Sequence, residues 1–244
     1  MTHPTSGARA TTPSGHARSA AAVDWRVYLV TDPHLGGDRD AVPGIVHQAV
    51  LGGVGVVQVR DKECDDDEFA TRAASVADAA RRAGARVGRE VPVFVNDRLE
   101  VARELGLHLH VGQRDVAFGR ARAELPEHLM LGLSIESDEQ LHVALGGPGP
   151  VPDVIGVSPV WSTATKTDTA AALGPSAADR LARVARRRGV AAVGIGGITP
   201  ANVDLLAGTA LDGVCVVSAV MGASDPRAAA LDLLSRWDRS RARG

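Results

Sequence analysis

The 244-residue chain carries 27 Lys and Arg against 29 Asp and Glu, and its formal net charge of −2 argues against a nucleic-acid binder, which would show a basic stripe. Aromatic residues make up 3%, too few for base-stacking platforms, and no apolar run approaches the roughly 20 residues of a membrane span. Two cysteines, Cys64 and Cys215, offer no zinc spacing and fit a reducing, cytoplasmic setting.

The first 23 residues are rich in Ala, Ser, Thr, Gly and Arg and contain no acid before Asp24. A transit peptide has a similar composition. A disordered extension is the simpler expectation, because nothing apolar there offsets the entropy of ordering. Residues 1–24 are therefore expected as a disordered tail and 25–244 as one catalytic domain.

From Trp25 onward, short β-branched runs alternate with Ala-rich helical patterns, the mark of a parallel sheet wrapped by helices. The pattern predicts strands at 27–31, 54–59, 91–95, 107–111, 130–133, 154–157, 191–194 and 213–217. Helices are expected over 41–51, 66–84, 97–105, from 118, from 138, over 176–188, from 199 and over 226–237. In the helix from residue 66, Phe69, Ala73, Val76 and Ala80 recur at three and four, giving one buried stripe. Thr199-Pro200 reads as an N-cap followed by proline at the first helical position.

Eight strand–helix units on a chain of about this length make a single (β/α)8 TIM barrel the expected α/β fold. The strands are continuous apolar runs, as expected of a sheet covered on both faces. A doubly wound open sheet is the alternative. Its glycine fingerprint is missing after the first strand, where the turn is Thr31-Asp32-Pro33.

In such barrels the βα loops open on one face, and the polar fragments of this chain follow expected strand ends. Gln58, Arg60 and Lys62 alternate, so all three point the same way as the second strand leaves the barrel. An amide, a guanidinium and an ammonium together grip phosphoryl oxygens; the plain alternative is a surface charge pair. Asn96-Asp97 reads either as the N-cap of the next helix or as an anion donor beside a cation ligand. Asp115, after the fourth strand, is a turn residue or a second carboxylate. Two carboxylates on adjacent strand ends suit Mg2+.

Thr163, Thr165 and Lys166 lie in a long segment that reads as a lid over phosphate or as a solvated loop. Gly194-Ile195-Gly196-Gly197 follows the seventh strand, where glycines let backbone N–H groups approach a phosphate. Tight strand-to-helix packing is the other explanation for them. Val217-Ser218 closes the eighth strand beside it. His108 and His110 have no partner at transition-metal spacing and are expected to be hydrogen-bonded structural residues.

Taken in order, Gln58-x-Arg60-x-Lys62, Val95-Asn96-Asp97, His110-Val111-Gly112-Gln113-x-Asp115, Gly132-Leu133-Ser134, Thr163-x-Thr165-Lys166, Gly194-Ile195-Gly196-Gly197-Ile198 and Val217-Ser218 closely resemble thiamine phosphate synthase. The resemblance runs from about Val27 to the last helix. It implies the joining of an aminopyrimidine methyl diphosphate to a thiazole phosphate, giving thiamine phosphate and diphosphate. By that likeness Gln58, Arg60, Lys62, Asn96, Ser134 and Lys166 hold the pyrimidine diphosphate, with Arg60, Lys62, Ser134 and Lys166 catalytic. Asp97 and Asp115 look like Mg2+ ligands, and Thr163, Thr165, Gly197, Val217 and Ser218 like thiazole phosphate contacts.

Three positive side chains and a divalent metal outweigh two carboxylates, a surplus that suits a departing diphosphate. The likeness also suggests a homo-oligomer. His108 stands where the family usually has glycine, Glu136 where histidine is frequent, and Ser158 where glycine precedes Pro159. A thiazole tautomerase on the same barrel is the nearest rival, and a non-catalytic phosphate-binding barrel is a third reading.

Overall fold

The computed structural model describes residues 20–162 and 171–243. Among them, eight parallel strands close in chain order into a barrel: β1 Val27–Val30, β2 Val56–Val59, β3 Val93–Asn96, β4 His108–Val111, β5 Leu131–Ile135, β6 Val154–Val157, β7 Ala191–Ile195 and β8 Gly213–Val216. The last strand pairs back to the first, Tyr28 facing Cys215. Outside lie α1 Val42–Leu51, α2 Asp66–Arg86, α3 Leu99–Leu105, α4 Phe118–Glu124, α5 Asp138–Gly146, α6 Gly174–Arg187, α7 Asp204–Ala207, α8 Ser218–Met221 and α9 Pro226–Arg241. No described helix is long and apolar enough to cross a membrane.

Strand alternation sorts the apolar residues into two cores. Odd-numbered positions such as Val27, Leu29, Val57, Leu109 and Leu131 face the helices, where Phe69, Leu181 and Trp237 cover them. Even-numbered positions on the early strands turn inward, so Tyr28, Val30, Val56, Phe94, Met130 and Val154 fill the barrel with Val193 and Cys215. The interior is thus a packed core.

Local chemistry sets the helix ends. The Asp65 carboxylate accepts from the Glu68 N–H and caps α2, whose first turn carries Asp66, Asp67 and Glu68 against the positive end of the helix. The expected stripe Phe69, Ala73, Val76 and Ala80 is buried against the sheet. Asp225 caps α9 with Pro226 in its first turn, and Leu233 and Trp237 bury that helix on the barrel.

The floor is closed by the entering chain. A Cβ on Gly55 would lie 2.0 Å from the Asp24 carbonyl oxygen, and one on Gly213 would lie 1.7 Å from that of Trp25. Only glycine lets residues 24–26 pass so close beneath β2 and β8. Trp25 then stacks at tilted angles on Tyr28 and Phe94, each 6.1 Å away, contacts worth about 0.5–1.5 kcal/mol apiece beyond area burial. Its Nε1–H donates to the Ala20 carbonyl at 3.0 Å, and Ala20 is itself buried. Ala20 and Trp25 thus pack together on the barrel floor. Residues 1–19 of the expected tail lie outside the described residues.

Two local expectations fail. No helix starts at Thr199-Pro200; the Asn202 carboxamide oxygen takes the Thr199 N–H at 2.8 Å, a turn forms, and α7 begins only at Asp204. Asp97 does not open α3, because Arg98 occupies the cap position and α3 begins at Leu99 with no side-chain cap.

Candidate functional site

At the C-terminal ends of the strands a cavity takes lining residues from the whole ring, Thr31 after β1 through Arg60, Asn96, Gly112, Ser134, Ser158 and Gly196 to Val217 after β8. Of the residues expected to act together, Gln58, Arg60, Lys62, Asn96, Asp115, Ser134, Gly197, Val217 and Ser218 all line it. Asp97 joins through an ion pair of its Oδ2 with Lys62 Nζ at 3.1 Å. Thr163, Thr165 and Lys166 lie outside the described residues.

The three alternating residues after β2 form a depth gradient. Gln58 is buried and donates from Nε2 to the Tyr28 hydroxyl at 2.9 Å, Arg60 is half-buried, and Lys62 is exposed. Gln58 thus belongs to the floor, while the two cations reach the rim. No side chain among the described residues pairs with the Arg60 guanidinium, which leaves its fork open to an anion.

Asp61 lies between those cations in sequence. It points the other way and is buried. Its Oδ1 accepts from the Glu63 N–H at 3.0 Å and its Oδ2 lies 3.2 Å from Arg39 Nε. Burial raises its pKa, but the Glu63 amide and the Arg39 charge outweigh that and hold the carboxyl below its ordinary value. From the other flank, Arg98 donates to the Cys64 carbonyl at 2.7 Å and the Asp61 carbonyl at 3.2 Å, lies 4.5 Å over the Phe69 ring and pairs with Asp66. The loop that carries Arg60 and Lys62 is therefore pinned on both sides.

The two carboxylates follow the ends of the next two strands. Asp97 has φ 56°, in the left-handed region that costs a non-glycine residue about 1–3 kcal/mol. It caps no helix, and in this conformation its carboxylate meets Lys62. Burial pushes its pKa up; Lys62 pulls it down, and the Asp115 charge pushes it up again. Asp115 folds back so that its Oδ2 accepts from the Gly112 N–H at 2.7 Å. Among the described residues no cluster of three or more His, Cys, Asp or Glu forms. A pair of carboxylates with mutual repulsion and a nearby anion site fits Mg2+, which takes one or two carboxylates and completes its shell with water and phosphate.

The opposite wall is the glycine turn after β7. Gly196 and Gly197 have φ 108° and 63°. A Cβ on Gly196 would meet Pro159 at 2.8 Å, and one on Gly197 the Ser162 carbonyl oxygen at 2.8 Å. Close packing and an exposed backbone edge are thus the same feature. The Val160 and Trp161 N–H groups donate to the Ile195 and Gly196 carbonyls at 2.8 and 3.1 Å, tying the β6 loop to this turn. Asn202 Nδ2 donates to the Gly197 carbonyl at 2.9 Å and braces it from below.

Sequence reasoning missed several lining residues. Tyr28 and Cys215 meet at the floor, where burial raises the pKa of both. Thr31 Oγ1 accepts from the Arg60 N–H at 3.0 Å. His108 fits the structural expectation: its Nδ1 accepts from the Met130 N–H at 3.0 Å and its ring lies 5.0 Å from that of Phe94. His110 is buried and likewise hydrogen-bonded, its Nε2 3.1 Å from Ser134 Oγ, and it also lines the cavity. The signal available was the inward parity of each strand, even-numbered through β6 and odd-numbered on β7 and β8. Of the other departures from the family pattern, Ser158 lines the cavity. Glu136 is not among the described residues that do, and its N–H donates to Gln140 Oε1 at 2.7 Å.

Comparison with known proteins agrees with this geometry. The family model for thiamine monophosphate synthase matches residues 27–220. The chain is 46% identical over 222 residues to the thiamine biosynthesis multifunctional protein ThiED of Corynebacterium efficiens, covering 89% of this chain and 29% of that protein. It therefore spans less than a third of that relative. It is 36% identical over 217 residues to a thiamine-phosphate synthase of Desulfitobacterium hafniense, covering 88% of this chain and 99% of the relative. The solved thiamine phosphate pyrophosphorylase from Pyrococcus furiosus superposes with a TM-score of 0.76 at 25% identity, over 89% of this chain and 97% of the other. The chain belongs to the thiamine monophosphate synthase family.

Proposed function

We propose that the chain is a thiamine phosphate synthase, joining an aminopyrimidine methyl diphosphate to a thiazole phosphate with release of diphosphate. One observation supports this reading: Arg60, Lys62 and Asp115 line one cavity with the Gly196-Gly197 turn, and Asp97 is ion-paired to Lys62 at its edge. Family membership supports it independently.

Arg60 and Lys62 bind the diphosphate and stabilise the charge that grows on it as the C–O bond breaks and the leaving group takes the electron pair. Asn96 and Ser134 orient the pyrimidine end above the Tyr28–Gln58 floor. The backbone of Gly197 and the Val217-Ser218 corner hold the thiazole phosphate so that its ring nitrogen faces the methylene carbon. That nitrogen already bears a lone pair, so the new C–N bond needs no general base. Asp97 and Asp115 would hold Mg2+, which when bound neutralises diphosphate oxygens. Thr163, Thr165 and Lys166 enter the proposal by resemblance alone, as does assembly into a homo-oligomer; two free, buried thiols support a cytoplasmic setting.

The test is to mix the protein with both substrates and Mg2+ and follow diphosphate. Release that depends on the thiazole phosphate is the expected result. An isomerised thiazole without coupling would instead support the tautomerase, which needs no such cation set. Tight binding without turnover would support a non-catalytic barrel.

A further inference from the structure

His110 has no part in the reaction outlined above, yet it is among the most constrained side chains at the mouth. It is buried on β4, its register partner on β5 is Gly132, and its ring lies across the inner faces of Gly132 and Gly156. A Cβ on Gly132 would lie 2.3 Å from His110 Nδ1, and one on Gly156 would lie 3.5 Å from Cε1. Two glycines on adjacent strands therefore make the room this ring occupies.

Its two nitrogens have different surroundings. Nε2 lies 3.1 Å from Ser134 Oγ. Nδ1 is fully enclosed and has no hydrogen-bond partner among the described residues. Burial pushes the imidazole pKa down to about 4, against the opposing pull of the Asp115 charge, so near neutral pH the ring carries one hydrogen. On Nδ1 that hydrogen would be a buried donor without an acceptor, aimed at a Gly132 Cα hydrogen. A bare lone pair there meets the same Cα–H favourably as a weak acceptor. The hydrogen therefore belongs on Nε2, where Ser134 Oγ receives it.

That choice has a consequence for the serine. Once Oγ accepts from His110, the Ser134 hydroxyl hydrogen is not used on the ring and turns to the cavity that Ser134 lines. We propose that His110 is a positioning residue whose Nε2–H donates to Ser134 and commits the serine hydroxyl to donate to an acceptor atom of the bound pyrimidine diphosphate. The ligand half of this rests on the function proposed above; the tautomer half does not.

The deciding measurement is 15N NMR of histidine-labelled protein without substrate, with the His110 ring assigned by its loss in His110→Gln. A pyridine-type shift on Nδ1 and a pyrrole-type shift on Nε2 are expected. The reverse pattern would overturn the inference whatever the protein catalyses.

The second arm reads the coupling in turnover. His110→Leu and Ser134→Ala should each lower kcat/KM for the pyrimidine diphosphate by about 10- to 100-fold, the loss of one hydrogen bond to a charged ligand. The double variant should be no worse than either single change, and the KM for thiazole phosphate should not move. His110→Gln, whose amide N–H can reach where Nε2–H stands, should recover most of the loss. Independent, multiplying losses, or a glutamine no better than leucine, would refute it. If the wild type lacks synthase activity, calorimetric binding of the pyrimidine diphosphate to the same variants replaces turnover. Should His110→Leu fail to fold, the NMR result alone decides.

Discussion

Replacing Asp97 by Asn separates a metal-and-diphosphate role from a structural one with little collateral change. Asparagine tolerates the left-handed backbone at φ 56° as well as aspartate does, so the turn should survive. The Lys62 partner is half exposed, and its loss costs the fold well under about 1 kcal/mol. Removing a partly buried negative charge beside Asp115 works the other way, so the melting temperature should stay level or rise. The site loses one unit of negative charge and a charge-assisted contact at 3.1 Å. Losing about 2–4 kcal/mol of transition-state stabilisation corresponds to roughly 30- to 1,000-fold in kcat/KM. The assay is steady-state diphosphate release over a range of substrate concentrations and across a Mg2+ titration, with a thermal melt alongside. Activity should fall and its Mg2+ dependence shift to higher concentration. Turnover within about threefold of wild type with an unchanged Mg2+ profile would remove the ligand assignment, since about 0.7 kcal/mol is too little for it. A large drop in melting temperature would return Asp97 to a turn-forming role.

Other expectations follow from the same geometry. Asp61→Asn should destabilise the protein by about 1–3 kcal/mol, because it removes the charge facing Arg39 across a buried contact. The folded pKa of Asp61 is depressed, so its contribution is present above the unfolded value of about 3.9 and is lost as pH falls below that. The gap between the melting curves of the two proteins should therefore narrow steadily as pH falls below about 3.9, and a gap that does not narrow in acid would contradict the ion-pair account. Gly132→Ala should cost about 1–3 kcal/mol through overpacking, since the new methyl would sit 2.3 Å from His110 Nδ1; an unchanged melt would mean the ring has room to move. Gly197→Ala puts a side chain on φ 63° and against the Ser162 carbonyl, at about 1–2 kcal/mol for the backbone alone. Its KM for thiazole phosphate should rise more than that for the pyrimidine diphosphate, and the opposite ranking would detach the turn from the thiazole phosphate.

The barrel was legible because its signal is local and repeated. Continuous apolar runs name the strands, and alternation alone puts Gln58, Arg60 and Lys62 on one side. The failures occur where a distant or competing partner decides. Thr199-Pro200 carries a sound helix-start signal, but the Asn202 side chain captures the Thr199 N–H and delays α7 to Asp204. Asp61 looks like a surface charge until Arg39 from another loop closes over it. His108 and His110 share a strand and a direction, and sequence gives no reason to separate them. What distinguishes them is depth: one packs under Phe94, the other meets a glycine across the sheet and a serine at the mouth. Depth along a strand is a property of the assembled ring.

Among the described residues, Trp25, Tyr28 and Phe94 plug the barrel below the cavity. Traffic then becomes part of the chemistry. If the proposed pyrimidine sits on the Tyr28–Gln58 floor, it would load before anything bound nearer the rim, and the product would leave by the route its precursors took. In the proposed reaction, expelled diphosphate and coupled product would share that doorway.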